Sequence, residues 1–199
     1  MKDYNNYNNY FTNPYTIYMA SSGNNNKVTV PSCCPNVLSI GGTSLNLDTT
    51  FNRVSEKVWS KSGCGYSKSF NKPLYQPVMS DNTKRISPDC CCIADPNTPC
   101  YVVLNGRGYG IGGTSLASPI YAGMLSLLTQ SRLNQNKFTY TSVLNKYNSI
   151  QPLLYDSSNK DCFFDILEGQ SGIYKATEGF DIASGNGVLN VENIINNLS

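Results

Sequence analysis

Ser115 sits in the run Gly112-Gly113-Thr114-Ser115-Leu116-Ala117-Ser118-Pro119, directly ahead of an apolar stretch from Ile120 to Leu128. A turn of small residues that feeds a helix places a hydroxyl where unpaired N–H groups and the positive end of the helix dipole converge. Negative charge developing beside that oxygen is stabilised there. This is what a serine nucleophile needs when it attacks a carbonyl. The chain contains no histidine, so the Ser115 proton cannot pass to an imidazole of this chain. A second serine competes for the role, because Ile40-Gly41-Gly42-Thr43-Ser44-Leu45 repeats Ile111-Gly112-Gly113-Thr114-Ser115-Leu116 letter for letter. The flanks differ, so the echo is no structural repeat. Only Ser115 is followed by Ala117-Ser118-Pro119 and an apolar helical pattern, and proline is tolerated in a first turn. Ser44 leads toward the polar Asn46-Leu47-Asp48-Thr49 and is expected on a loop.

The elements that must hold Ser115 follow from the hydrophobic pattern. Short strands are expected at Thr16–Ala20, Val28–Val30, Val37–Ile40 and, most clearly, Cys100–Leu104 before an Asn105-Gly106 turn. Residues 41–57 read as loop or hairpin. Helices are expected at 118–132, at 140–147, and at 191–198 with Asn190 as its N-cap. Tyr121, Met124, Leu125 and Leu128 have helical spacing and belong to a core. Strands mixed with helices imply an α/β layer architecture. Residues 1–15, rich in Asn and Tyr, read as a poorly ordered leader, and residues 16–199 as one domain.

Composition narrows the function. The 199 residues carry a formal charge of +2 and 14% charged side chains. No Lys/Arg run exceeds two, which argues against a nucleic-acid binder. No apolar stretch reaches membrane-span length, and the N-terminal residues lack a hydrophobic signal core. Gly106-Arg107-Gly108-Tyr109-Gly110 does not open into a helix with the spacing of a nucleotide loop. The eight cysteines include Cys33-Cys34 and Cys90-Cys91-Cys92 but no Cys-x-x-Cys pair. Buried thiols or a few disulfides are expected rather than a metal cluster. Asp89 and Asp95 are expected in structural hydrogen bonds, and Trp59 in packing.

Five ordered segments carry a family resemblance. Gly113-Thr114-Ser115-x-x-x-Pro119 resembles the nucleophile motif of subtilisin-like peptidases, and more closely that of the sedolisins, the serine-carboxyl peptidases. Ser21-Ser22-Gly23-Asn24, Pro31 to Val37 with Ile40-Gly41-Gly42-Thr43, Trp59 to Ser67 with Pro73-x-Tyr75-Gln76, and Pro88-Asp89 with Ala94-Asp95-Pro96 are similar to sedolisin segments in the same order. The resemblance implies a subtilisin-like α/β fold with a mostly parallel sheet between helices. It implies a serine peptidase acting on peptide or protein substrates through Ser115, whose relatives are secreted or lysosomal. In the family the base is a glutamate with a supporting aspartate, spaced Glu-x-x-x-Asp on a helix. Here Glu56, Glu168, Glu178 and Glu192 all lack an aspartate four residues on. The resemblance therefore covers the family's C-terminal part, and a base would come from a separate N-terminal segment. The alternative is a catalytically inactive remnant with a structural or interaction role.

Two further residue sets follow from the resemblance. Where the family has an oxyanion-binding aspartic acid, this chain has Asn24, whose amide donates without a proton being added. Asn24 reads either as that donor or as a turn cap. Phe164-Asp165-Ile166 and Gly179-Phe180-Asp181 are similar to the family's calcium segment. The implied ligands of one structural Ca2+ are the Asp165 and Asp181 carboxylates and the Ile166, Thr177 and Gly179 carbonyls, a hard-oxygen set suited to that ion.

Overall fold

The computed structural model describes residues 4–13, 16–79, 83–134 and 151–198. Its frame is a six-stranded sheet. β1 (Tyr18–Ser21), β2 (Val37–Leu47), β6 (Cys90–Ile93) and β12 (Val188–Leu189) lie side by side and parallel. β9 (Phe163–Phe164) closes the far edge antiparallel to β12, and β3 (Arg53–Val58) folds back antiparallel onto β2. Two-stranded sheets are formed by β4 (Gly65–Asn71) with β5 (Lys84–Ser87), β7 (Cys100–Leu104) with β8 (Arg107–Ile111), and β10 (Gln170–Ser171) with β11 (Tyr174–Lys175). The helices are α1 (Thr114–Asn134), the single turn α2 (Gln151–Leu154) and α3 (Val191–Leu198). This is an α/β arrangement around a mostly parallel sheet.

Strand alternation divides the chain's apolar residues into two layers. Leu38 and Ile40 of β2 and Cys90 and Cys92 of β6 face α1, where Ala117, Tyr121, Leu125 and Leu128 complete the core. Trp59, Leu189 and Ile194 join the same cluster. The opposite face carries Val58, Cys91, Ile166, Ala183 and Val188. At Gly42 a Cβ would lie 2.5 Å from the Ala94 Cβ and 3.0 Å from the Trp59 ring. Only glycine lets β2 run that close to the segment leading toward α1.

Several expectations need correction. Val28–Val30 forms no strand, because no neighbouring strand pairs with it. Of the two readings of residues 41–57 the hairpin holds: β2 continues through Ser44 to Leu47 and pairs antiparallel with β3, so Ser44 lies in a strand and not on a loop. α1 begins at Thr114, four residues before the expected start, and Pro119 falls beyond the first turn. Proline has no N–H for the carbonyl four residues back, so the Ser115 carbonyl is left without that bond. The expected helix at 140–147 lies outside the described residues. Asn190 does cap α3, its Oδ1 accepting from Asn193 N at 3.1 Å. Asn105 and Gly106 both take positive φ, making the tight mirror-image turn that joins β7 to β8. Residues Asn5–Tyr10 form a 3-10 turn.

All eight cysteines are free thiols, seven of them buried. Burial raises the pKa of the seven buried thiols, to about 12 for Cys34 and Cys92. They are therefore poor nucleophiles.

A buried polar knot locks β2 to β6. Arg85 and Asp89 are both fully buried and paired at 2.5 Å. The Asp89 carboxylate also accepts from Ser39 N at 2.7 Å and from the Tyr155 hydroxyl at 2.6 Å. Gln76 spans the knot, donating to the Ile86 carbonyl and accepting from the Ile86 N–H. Removing one member of such a pair strands the other charge. Asp89→Ala should lower unfolding free energy by about 3–5 kcal/mol in urea titrations. A loss under about 1 kcal/mol would show that the pair is not essential to the fold.

Candidate active site

Ser115 is exposed in the first turn of α1, as the sequence suggests for an accessible hydroxyl. Gly113, at φ +101°, makes the turn into the helix, a backbone state that a larger residue resists. Its amide donates to the Ala94 carbonyl at 2.5 Å, tying the helix start to the end of β6. The Leu116 and Ala117 amides fold back onto the Gly113 carbonyl. Among the described residues the Ser115 amide donates to no acceptor and its hydroxyl makes no hydrogen bond. An N–H group of this kind, at the positive end of a 21-residue helix, is a ready donor to an anion.

Asn24 meets this helix start from a distant segment. β1 ends at Ser21, and the chain turns through Ser22-Gly23-Asn24. The Asn24 Oδ1 accepts from Thr114 N at 2.9 Å and from Thr114 Oγ1 at 2.8 Å. The Thr114 oxygen accepts in turn from Gly23 N at 3.1 Å. The orientation of the amide follows from chemistry, since the Thr114 N–H can only donate and must face the carbonyl oxygen. The Asn24 Nδ2 therefore points away from Thr114, on the side of Gly113, and has no partner among the described residues. Asn24 thus caps α1 from across the chain and leaves its N–H2 group free. Thr114, which sequence reasoning passed over, is the buried hinge of this arrangement. Its only local signal was its position before the serine.

Ser44 is a different environment. It is 4% exposed and donates to Asp95 Oδ2 at 2.6 Å. Its proton is committed and its oxygen is enclosed, so Ser115 is the accessible serine of the two. Asp95 also accepts from Asn97 N and Nδ2. Asp89 and Asp95 thus serve as hydrogen-bond acceptors within the framework.

The described residues bring no base to Ser115. Glu56 is the buried glutamate, accepting from Thr43 Oγ1 at 2.5 Å and paired with Arg53 at 3.0 Å. Thr43 is an odd-numbered residue of β2, on the sheet face away from α1, and Glu56 shares that face through its pairing with Leu45. The sheet separates it from the serine.

The proposed calcium residues are brought together. Asp165 Oδ2 accepts from Gly179 N at 2.7 Å, and Asp181 Oδ2 accepts from Thr177 N at 3.1 Å. Asp181 also takes Ala183 N at 2.7 Å, Ser184 N at 2.8 Å and Ser184 Oγ at 2.7 Å. These four donors fill the carboxylate's lone-pair positions. Burial, the largest influence, still raises the Asp181 carboxyl above its usual range. The Ile166, Thr177 and Gly179 carbonyls and Asp165 Oδ1 accept no hydrogen bond among the described residues. No cluster of three or more His, Cys, Asp or Glu side chains stands ready for a metal among those residues. The chemistry of the donor set suits calcium through carbonyls and Asp165. Asp181 would join by releasing Thr177 N or Ser184 Oγ.

Comparison with known proteins bears on the family and the fold. A profile of the subtilase family matches residues 2–173. Sedolisin of Pseudomonas sp. is 30% identical over 181 residues, spanning 85% of this chain and 30% of that protein. Tripeptidyl-peptidase sed4 of Aspergillus fumigatus is 34% identical over 164 residues, spanning 72% of this chain and 25% of that protein. The chain thus spans less than a third of the length of these relatives. The solved structure of Pseudomonas sedolisin with two molecules of pseudo-iodotyrostatin superimposes with a TM-score of 0.79 at 27% identity, covering 91% of this chain and 55% of that one.

Glu56 yields a test of the burial argument. Burial raises its carboxyl above the ordinary 4.5, against the pull of Thr43 and Arg53. The folded chain then holds this proton more tightly than the unfolded chain. Glu56 therefore makes stability fall as pH rises from about 4.5. In Glu56→Gln that contribution vanishes, and the Tm of the variant relative to the parent should rise with pH over the acidic range. A difference that stays flat or falls with pH would contradict the assignment.

Proposed function

The chain belongs to the subtilase family, and on that footing we propose that it is a sedolisin-type serine peptidase that hydrolyses peptide bonds through Ser115. The observation that carries this reading is the hydrogen-bond pair from Thr114 to Asn24 at the mouth of α1. Ser115 Oγ attacks the scissile carbonyl carbon. The carbonyl oxygen gains the negative charge, and Asn24 Nδ2 and the Ser115 N–H donate to it. Donors fixed in advance at the developing charge commonly account for a rate factor of about 10²–10³ each, a magnitude drawn from a subtilisin asparagine. Asn24 donates at every pH, because an amide needs no added proton. The proton of Ser115 passes to a base outside this sequence.

No carboxylate among the described residues hydrogen-bonds Ser115, which supports a second reading, an inert relative that binds without cleaving. A fluorophosphonate probe separates the two. Applied to lysate of the native cells, it should label the chain on Ser115. Ser115→Ala should abolish the label and Ser44→Ala should retain it. No label on Ser115 in lysate, with the chain folded, would favour the inert reading.

A structural calcium ion held by Asp165, Ile166, Thr177, Gly179 and Asp181 belongs to the same proposal. The ion would supply positive charge that ties the segment at 165–166 to the loop at 177–181. EDTA should lower the Tm and added calcium should restore it. Asp165→Ala should lose most of that calcium-dependent shift. An unchanged Tm on chelation would refute the site.

A further inference from the structure

A cavity of about 530 Å³ lies beside residues 26–30, a few positions past Asn24. Asn24, Thr114 and Ser115 do not line it. Val28 and Val30 do, whereas Thr29 between them donates its hydroxyl to the Ser22 carbonyl at 2.9 Å. The two valines therefore face the cavity while Thr29 faces the turn that leads to Asn24. Tyr66, Ile173 and Tyr174 complete the apolar wall, and Tyr4 adds a ring from the N-terminal segment.

The stretches that meet here are held in place. Gly65, at φ +126°, opens β4 so close to Tyr174 that a Cβ would lie 3.1 Å from its ring. Tyr66 and Tyr174 then pack edge to face, with ring centroids 6.1 Å apart. Asn26 donates to the Ser60 carbonyl and to Ser171 Oγ. Asn8 Oδ1 accepts from Asn36 N at 2.8 Å, which ties the segment carrying Tyr4 to the domain. Two buried thiols, Cys33 and Cys64, also line the cavity. Burial raises both above the ordinary thiol range, so they stay protonated and act as small apolar groups.

The charge of the lining is one-sided. Lys27 and Lys68 belong to it, and no carboxylate does. Both lysines are exposed, and neither forms an ion pair among the described residues. Apolar walls alone would accept any apolar molecule of suitable size. Two unbalanced cations beside those walls select molecules that also carry an anion, because charges near an apolar surface attract more strongly than in bulk water. The arginine fork that favours phosphate is absent from the lining.

We propose that this cavity is a binding site for a small organic acid with an apolar body. The body sits among the valines and tyrosines, and the carboxylate sits at the rim formed by Lys27 and Lys68. The site stands independently of the Ser115 reading.

The probe is 4-phenylbutyrate, with its amide and 4-phenylbutylamine as neutral and cationic counterparts. Calorimetric titration of the purified chain should find one site for the acid, about tenfold tighter than for the amide, with the amine weaker still. The acid should also raise the Tm as its concentration rises. Lys27→Ala combined with Lys68→Ala should bring the acid down to the affinity of the amide and leave the amide unchanged. Ile173→Asp, at a position 86% exposed, should keep the Tm of the ligand-free chain. It should weaken the acid about tenfold by placing a carboxylate at the cavity. Leu74→Asp, at an exposed position outside the lining, should leave binding unchanged. Equal affinity for acid and amide would overturn the proposal, as would tighter binding of phenyl phosphate than of the acid. Binding that survives both the lysine substitutions and Ile173→Asp would place the probe elsewhere and overturn it too. So would an acid that fails to bind at millimolar concentration.

Discussion

Thr114 makes three hydrogen bonds that decide how the rest of the site is arranged. Its amide and hydroxyl both donate to Asn24 Oδ1, and its hydroxyl accepts from Gly23 N. These bonds connect the carboxyl end of β1 to the first residue of α1, which are about ninety residues apart in sequence. They satisfy one of the orphan donors at the helix start. They also fix the polarity of the Asn24 amide, so that its donor side is the free side. The proposed oxyanion site would need donors held before the charge appears, and Thr114, next to Ser115, holds the Asn24 amide.

The sheet makes this contact possible. The Arg85–Asp89 pair and the Ser39 amide set the register between β2 and β6. Gly42 lets β2 approach Ala94, and the Ala94 carbonyl receives the Gly113 amide. Each step carries a constraint from the core to the mouth of α1.

Much of this was legible in the sequence, and the exceptions share a cause. Asn190 announced the start of α3 and Asn105-Gly106 announced a hairpin, because both act within a few residues. Ser115 and Asn24 could be singled out from their motifs. The start of α1 at Thr114 could not be read, since its cap comes from a segment far upstream. Pro119 looked like a first-turn proline and lies deeper in the helix. Val28–Val30 had the composition of a strand but found no partner. Ser44 looked like a loop residue because its neighbours are polar, yet β3 pairs with them and Asp95 takes its proton. In each case long-range pairing, or the want of it, decided what a local pattern could not.

The free N–H2 of Asn24 and the N–H of Ser115 are proposed to converge on one oxygen bonded at Ser115. A crystal structure of the chain exposed to a peptide boronic acid tests it most directly. The adduct forms at equilibrium, so a missing base slows its formation without preventing it. Boron is expected on Ser115 Oγ, with one boronate oxygen about 2.7–3.1 Å from both Asn24 Nδ2 and Ser115 N. Boron on another residue, or an Asn24 amide turned so that its nitrogen faces Thr114, would contradict it.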